Sequence, residues 1–313
     1  MLWREAKDRG IKVWEFRLFG LPRNIFVAEF SNGERITYEG IPIPAHGVHQ
    51  VSWLDDKALL KKNFCKYGFP VANGGSVITL ATAVELFRNL VAPVIVKPRN
   101  GSGSRHTTLH IIDEAELARV FNVATQISPA AIIEEELVGA VYRATVVDGS
   151  LVATLRRDPP SVVGDGKKTI HELIDEANKH PARSGPYFSK IKINPAALKE
   201  LDWQKHTLGD VLPKGKRVTF HQKVNWSVGG TTADVSDNVH PDNRELFERV
   251  AEVLKAPIVG IDFIIGDMSR SWKEQKRCGI IECNSMPFFD NHPLPFEGKP
   301  RNVAGAIWDM MEI

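Results

Sequence analysis

Two apolar, β-rich runs joined by a polar loop stand toward the C-terminal end of the chain. Ile258–Ile265 is a β-rich run with one carboxylate, Asp262, and Gly279–Asn284 is a second that carries Glu282 and Asn284. Side chains of a strand alternate between its faces, so Glu282 and Asn284 share one face. If the two runs pair as a hairpin, Asp262 joins them. Earlier in the chain the pattern predicts a short helix over 3–9 and strands over 11–19 and 24–30, with Ser31-Asn32-Gly33 as a turn. A helix over 55–67 shows an apolar stripe of Leu59, Leu60 and Phe64 and is stopped by Gly68 and Pro70. Strands are predicted over 93–98 and 107–112, then a helix over 114–123. A strand over 131–133 runs into Glu134-Glu135-Glu136-Leu137, and strands follow over 141–147 and 151–155.

Beyond these, 156–166 is a polar, kinked connector. A helix over 169–179 starts with Thr169 as N-cap and Glu172 at the capping-box position. Residues 180–217 are polar and basic, an excursion of a length that is usually functional or mobile. A strand over 217–223, a second Gly-rich loop over 225–232, the helix Pro241–Leu254 and a last helix over 302–311 complete the pattern.

Composition narrows the function classes. The 313 residues can bury a sizeable core and divide into subdomains. Forty basic side chains against 38 acidic ones give no bulk charge to attract nucleic acid or a membrane surface. The three cysteines, Cys65, Cys278 and Cys283, lack metal spacing, and their odd number fits a reducing compartment. No apolar run approaches the ~18 residues of a membrane helix, and the opening MLWREAKDRG has charges where a signal peptide needs an apolar core. A soluble, cytoplasmic protein with no nucleic-acid or membrane partner is expected.

Three stretches offer chemistry. Asp262, Glu282 and Asn284 form a hard-oxygen set suited to Mg²⁺, which keeps waters and takes one or two carboxylates with substrate phosphates. The alternative is a solvated sheet rim. The strand over 93–98 ends in Lys97 and enters the Gly/Ser loop that holds Gly101, Ser102, Gly103 and Ser104. Such a loop lets backbone N–H groups approach an anion, and Lys97 and Arg105 add charge. A strand rather than a helix follows, which disfavours a Walker or dinucleotide-binding loop. Lys57, Lys61 and Lys62 lie on the 55–67 helix, where by themselves they read as a solvated face.

Joined in order, these pieces resemble the ATP-grasp ligases. The resemblance is greatest to the ATP-grasp portion of cyanophycin synthetases and next to the glutathione-synthesising bifunctional ligases. It is carried by Asp56-Lys57…Lys61 with Gly68-Phe69-Pro70-Val71, by 157–166 (RDPPSVVGDG), by 225–237 (NWSVGGTTADVSD), and by 282–303 ending His292…Glu297-Gly298-Lys299-Pro300-Arg301. It covers the chain from about residue 55 onward. It implies an α+β fold with two antiparallel sheets sandwiching the nucleotide and a shortened N-terminal domain. The divisions expected are 1–90 (N-terminal domain and lysine helix), 91–140 (lid subdomain) and 141–313 (C-terminal domain with the metal site). It further implies an ATP- and Mg²⁺-dependent ligase that joins a carboxylate to an amine through an acyl phosphate. The substrates implied are amino acids or a short peptide, and a homo-oligomer is open.

By the same resemblance Lys61 and Lys97 would contact ATP phosphates, with Lys57 an alternative to Lys61. The Gly101–Ser104 loop would cover the phosphates as a lid. Glu134, Glu135 and backbone near Leu137 would hold adenine, and Asp262, Glu282 and Asn284 would hold Mg²⁺. Arg143, Arg157, Arg301 and the Gly229-Gly230 loop would face the reacting carboxylate, and Lys223 could substitute, as a point charge, for the arginine that the family has in place of His221. Two positions depart from the family pattern: Val141 stands where an acidic residue is usual, and His221 where an arginine is usual, with Lys223 near it. They motivate an alternative, a nucleotide-binding protein with weak or lost ligase turnover.

Overall fold

The computed structural model describes residues 1–45, 51–100, 106–221, 224 and 226–311. In chain order the elements are α1 (Leu2–Asp8), β1 (Lys12–Leu18), β2 (Leu21–Glu29), β3 (Arg35–Glu39), α2 (Lys57–Lys66), β4 (Gly74–Val77), α3 (Leu80–Arg88), β5 (Val94–Pro98), β6 (Thr108–Ile111), α4 (Glu114–Ala124) and β7 (Ala131–Glu135). They continue with β8 (Ala140–Val147), β9 (Ser150–Asp158), β10 (Ser161–Val163), α5 (Ile170–Ala177), α6 (Pro195–Trp203), β11 (Arg217–Thr219), β12 (Thr231–Asp234), α7 (Pro241–Leu254), β13 (Ile258–Ile265), β14 (Gly279–Asn284) and α8 (Val303–Met311). Among the described residues no helix is long and apolar enough to cross a membrane.

Two antiparallel sheets position the site. The smaller has the order β4-β7-β5-β6 and the larger β12-β9-β8-β13-β14. The small sheet buries one face on helices, whereas the large sheet is covered on both: the face that carries Arg143 and Asp262 also packs Val147, Ala153 and Ile258 against Val303 and Ile307 of α8. In the small sheet Val77, Val94, Val96, Ile111, Ala131 and Ile133 pack on α3 and α4. In the large sheet Tyr142, Ala144, Ile261, Phe263 and Ile265 pack on the Leu246, Phe247, Val250 and Leu254 stripe of α7. The opposite faces carry the polar residues described below. Pairing of β4 with β7 starts the small sheet at Gly74, well before residue 91. The antiparallel meander β1-β2-β3 packs with α1 and α8 around Trp308.

The polar excursion over 180–217 is partly ordered structure. Helix α6 begins at Pro195 with Asn194 as its N-cap. Its Ala197 and Leu201 join Ile170, Ile174, Leu212, Val218 and Phe220 in a separate core. The predicted capping box on α5 is formed, with Thr169 and Glu172 bonding reciprocally.

This inserted unit touches the small sheet at His110. The His110 ring stacks on Trp203 of α6 at 4.6 Å and 8°. Its Nδ1 lies 3.3 Å from Glu136 and its Nε2 3.9 Å from Glu200. Burial opposes the ring's charge, but the two carboxylates outweigh it and push the pKa up to about 9. A pKa above the ordinary 6.5 means that the charged ring stabilises the fold. That stability is fully present below about pH 6.5 and is lost as pH rises through 9. The melting temperature should therefore fall between pH 7 and 9.5, and His110→Gln should flatten the fall. Parallel pH profiles of the two proteins would refute the contact's role.

Candidate active site

On the polar face of the small sheet, Lys97 projects from the end of β5. Register places Ile95 opposite Glu134 and Lys97 opposite Ile132, so Lys97 and Glu134 share that face. The Lys97 ammonium bonds one oxygen of Glu134. Lys61, from α2, bonds the other at 2.6 Å. Burial would raise the Glu134 pKa, but the two lysines hold it below the usual carboxylate range. Opposite Glu134, Gly74 has φ +134°, and a Cβ there would lie 2.2 Å from the Ile133 carbonyl oxygen. Only glycine lets β4 pass this close to the strand that carries Glu134.

Asp56 brings the helix lysines to Lys97. Its carboxylate caps α2 by accepting from the Ala58 and Leu59 N–H groups at 2.9 and 3.1 Å. The same carboxylate receives the Arg99 guanidinium at 2.8 to 3.0 Å. Arg99 lies just past β5, so one fork ties the start of α2 to the end of the lysine strand. Lys57, at the first turn of α2, is pulled below the usual lysine pKa, by burial first and then by Lys97. Glu282 and Glu134 oppose that shift. Lys57 thus feels the carboxylates of both sheets.

On the large sheet, register lines up Arg143, Asp262 and Glu282 in one row across β8, β13 and β14. Arg143 donates to Asp262 through Nε at 2.6 Å and Nη2 at 3.0 Å. Arg157 of β9 adds 3.3 and 3.4 Å contacts to the same carboxylate. Burial would raise the Asp262 pKa; Arg143 and then Arg157 overcome this and hold it low. Gly260 makes room for the fork, since a Cβ there would lie 2.9 Å from Arg143 Nη1. Glu282 keeps its side chain open to solvent at the rim but stands in a crowded recess. Its pKa is raised, first by that burial and then by the like charge of Asp262. Asn284 lies opposite Gly260 on the same face. Below the row, His292 is fully buried with Nε2 2.8 Å from Thr145 Oγ1. Burial, then Arg143, pushes its pKa down to about 3, so the ring is neutral.

These donors suit a hard divalent cation. Two carboxylates and an amide oxygen line one face, and a cation there would offset the burial and the Asp262 charge that together raise the Glu282 pKa. Asp262 already accepts four hydrogen bonds from the two arginines, so a cation would take the place of the long Arg157 contacts at 3.3 and 3.4 Å. Among the described residues no three of His, Cys, Asp and Glu cluster as a metal site. Remaining ligands would come from phosphate oxygens and water.

The other expected residues are placed differently. Glu135 points to the face opposite Glu134, where Asn73 and the Val91 N–H hold its carboxylate at 3.0 Å. Leu137 follows β7 in the link to β8. Arg301 is bound by Asp234 of β12 at 2.6 Å and by Asp237 at 2.9 Å. β12 is the edge of the sheet opposite β14, and the Arg301 backbone N–H donates to the His292 carbonyl at 2.9 Å. Gly101, Ser102, Gly103, Ser104 and Lys223 lie outside the described residues. The residue-by-residue chemistry missed Arg99 and Gly260; an arginine just after a lysine strand, and a glycine two before the strand carboxylate, are weak signals by themselves.

Comparison with known proteins gives a consistent picture. No family model matches the chain. The cyanophycin synthetase of Trichormus variabilis is 35% identical over 270 residues, 85% of this chain and 30% of that protein. The glutathione biosynthesis bifunctional protein of Clostridium perfringens is 32% identical over 315 residues, 98% of this chain and 40% of that protein. The crystal structure of a bifunctional glutathione synthetase from Pasteurella multocida superposes with a TM-score of 0.71 at 23% identity, covering 99% of this chain and 43% of that one.

The chain has the ATP-grasp fold.

This ATP-grasp chain spans less than half the length of the curated relatives it matches. Of its two departures, Val141 sits in register with Arg157. His221 lines a cavity with His110 and Trp203 at the edge of the inserted unit.

Proposed function

We propose that this chain is an ATP- and Mg²⁺-dependent ligase that joins a carboxylate to an amine, on amino acids or a short peptide. One observation carries this function: a lysine cluster on the small sheet and a carboxylate–arginine row on the large sheet, with Lys57 feeling both. Lys97 and Lys61 are held ready for phosphate by Glu134. The strand and link around Ala131–Leu137 are the place for adenine. Arg143 and Arg157 would orient the anionic carboxylate, since a planar guanidinium matches it in two-point contact. Asp262, Glu282 and Asn284 would hold Mg²⁺, which when bound neutralises phosphate charge. The substrate carboxylate oxygen attacks the γ-phosphorus and ADP leaves, forming an acyl phosphate. The amine then displaces phosphate and loses a proton. Positioning and charge neutralisation are the protein's share of such a reaction.

The test is ADP release from Mg-ATP with mixed amino acids and short peptides, set against binding measured by calorimetry. Nucleotide binding without turnover on any pair would favour the alternative of a binding protein, which Val141 and His221 motivate. Lys97→Ala should weaken nucleotide binding roughly tenfold to a hundredfold, the worth of a charge-assisted contact in a shielded cleft. Unchanged affinity would remove Lys97 from the phosphate site.

A further inference from the structure

The β1–β2 hairpin carries a surface that the site does not use. On β1, Trp14, Phe16 and Leu18 alternate onto one face and are 40%, 48% and 40% exposed. Phe19 and Leu21 at the hairpin tip are 93% and 62% exposed. The other face of the same sheet is buried, through Ala28 and Tyr38 against Trp308. β1 is also an edge: among the described residues it pairs with β2 and with nothing on its outer side. An open edge flanked by exposed aromatic side chains is a template for another strand. Trp14 is kept in place from within the sheet by the Arg35 guanidinium, 5.8 Å from its ring centre.

The residues of β1 indicate what that strand is. Consider an antiparallel copy of β1 related by a two-fold axis at Phe16. Phe16 then meets the partner's Phe16, Trp14 meets the partner's Leu18, and Glu15 meets the partner's Arg17. Directly opposed residues share a face, so the apolar stripes merge on one side and the charges alternate on the other. Neighbouring registers lose this match. An axis at Glu15 opposes two carboxylates, and an axis at Arg17 opposes two guanidinium groups. An axis between residues puts the apolar stripe of one strand opposite the polar face of the other. Within one protomer Arg17 Nε already lies 2.9 Å from Glu15, so the four charges would form a closed, alternating set.

We propose that β1 is an interface for a second copy of this chain, paired antiparallel about Phe16 so that two three-stranded meanders become one continuous six-stranded sheet. Such a contact is isologous, each protomer giving the same patch, and strand addition at an open edge is a recurrent recognition mode.

The experiment is sedimentation velocity with the full chain over a concentration series, on the unchanged protein, Glu15→Arg, Arg17→Glu and the double swap. The unchanged protein should be a dimer. Each single swap sets like charges opposite one another at two places and should weaken association roughly tenfold or more. The double swap restores opposite charges in every pair and should restore the dimer. Arg17 is 62% exposed but Glu15 only 19%, so melting temperatures are measured beside each swap, and Phe16→Lys, at a position 48% exposed, gives a monomeric control independent of the charges. A protein that stays monomeric at its highest soluble concentration overturns the proposal. So does association that ignores the single swaps, or that the double swap fails to restore.

Discussion

Glu282→Gln should abolish turnover while leaving the fold intact. Glu282 is an exposed residue of the edge strand whose carboxyl group faces the enclosed side toward Asp262, and Gln keeps its shape, so the replacement leaves the packing unchanged. Its raised pKa shows that the ionised form is disfavoured there, by burial first and by Asp262 second. A neutral amide of the same shape relieves that repulsion, so the ligand-free variant should melt at the same temperature as the parent or slightly higher near pH 7. Function should move the other way. If Asp262, Glu282 and Asn284 hold Mg²⁺ with nucleotide phosphates, losing one anionic ligand weakens the metal, and ADP release should fall more than roughly a hundredfold. Mg-nucleotide should raise the melting temperature of the parent and raise that of the variant less. Equal stabilisation of both proteins, with activity retained, would make Glu282 a solvated rim residue and remove the metal from this hairpin.

Arg143→Ala should produce the largest loss of stability. Asp262 is buried and Arg143 largely so, and two parallel hydrogen bonds join them. Taking one partner from a buried pair leaves the other charge uncompensated, which costs about 3–5 kcal/mol. Here Arg157 still touches Asp262, at the longer distances of 3.3 and 3.4 Å, so about 3 kcal/mol is expected. Urea denaturation would measure it. Arg143→Lys should recover only part, because an ammonium cannot supply the fork. Arg143→Ala combined with Asp262→Asn should cost less than Arg143→Ala alone, since no orphaned charge remains. A loss below about 1 kcal/mol for Arg143→Ala would mean that water, not Arg143, compensates Asp262.

The α7 helix and the β13–β14 hairpin were readable from local pattern. Pro241 at the helix start and a periodic apolar stripe define α7, and two β-rich runs around a polar segment define the hairpin. Glu282 and Asn284 share a face for no reason beyond the period of a strand. The capping box of α5 is similarly local. Where pattern was weak, elements went unseen. Gly74–Val77 is Gly-Gly-Ser-Val, with little strand propensity of its own; its pairing with β7 makes it a strand. Helix α6 sits in a polar, proline-rich stretch, and its few apolar positions count because they meet a core assembled from 162 to 220.

The working arrangement of side chains was out of reach of any local window. Three acidic residues follow one another at 134–136, and their pattern does not say which of them meets the lysines. Pairing of β5 with β7 turns Glu134 toward Lys97 and sends Glu135 to Asn73 and Val91 on the other side. Arg143 and Asp262 are 119 residues apart in the chain; they touch because β8 and β13 pair in one register, and a slip of one residue would send the guanidinium to the apolar face. Arg301 carried the same expectation as Arg143; its guanidinium meets Asp234 of β12, where that of Arg143 meets Asp262 of β13. Residue type and strand period supply the donors and the face they share; which donors meet is decided by non-local register, which the hydrophobic packing of both sheets holds in place.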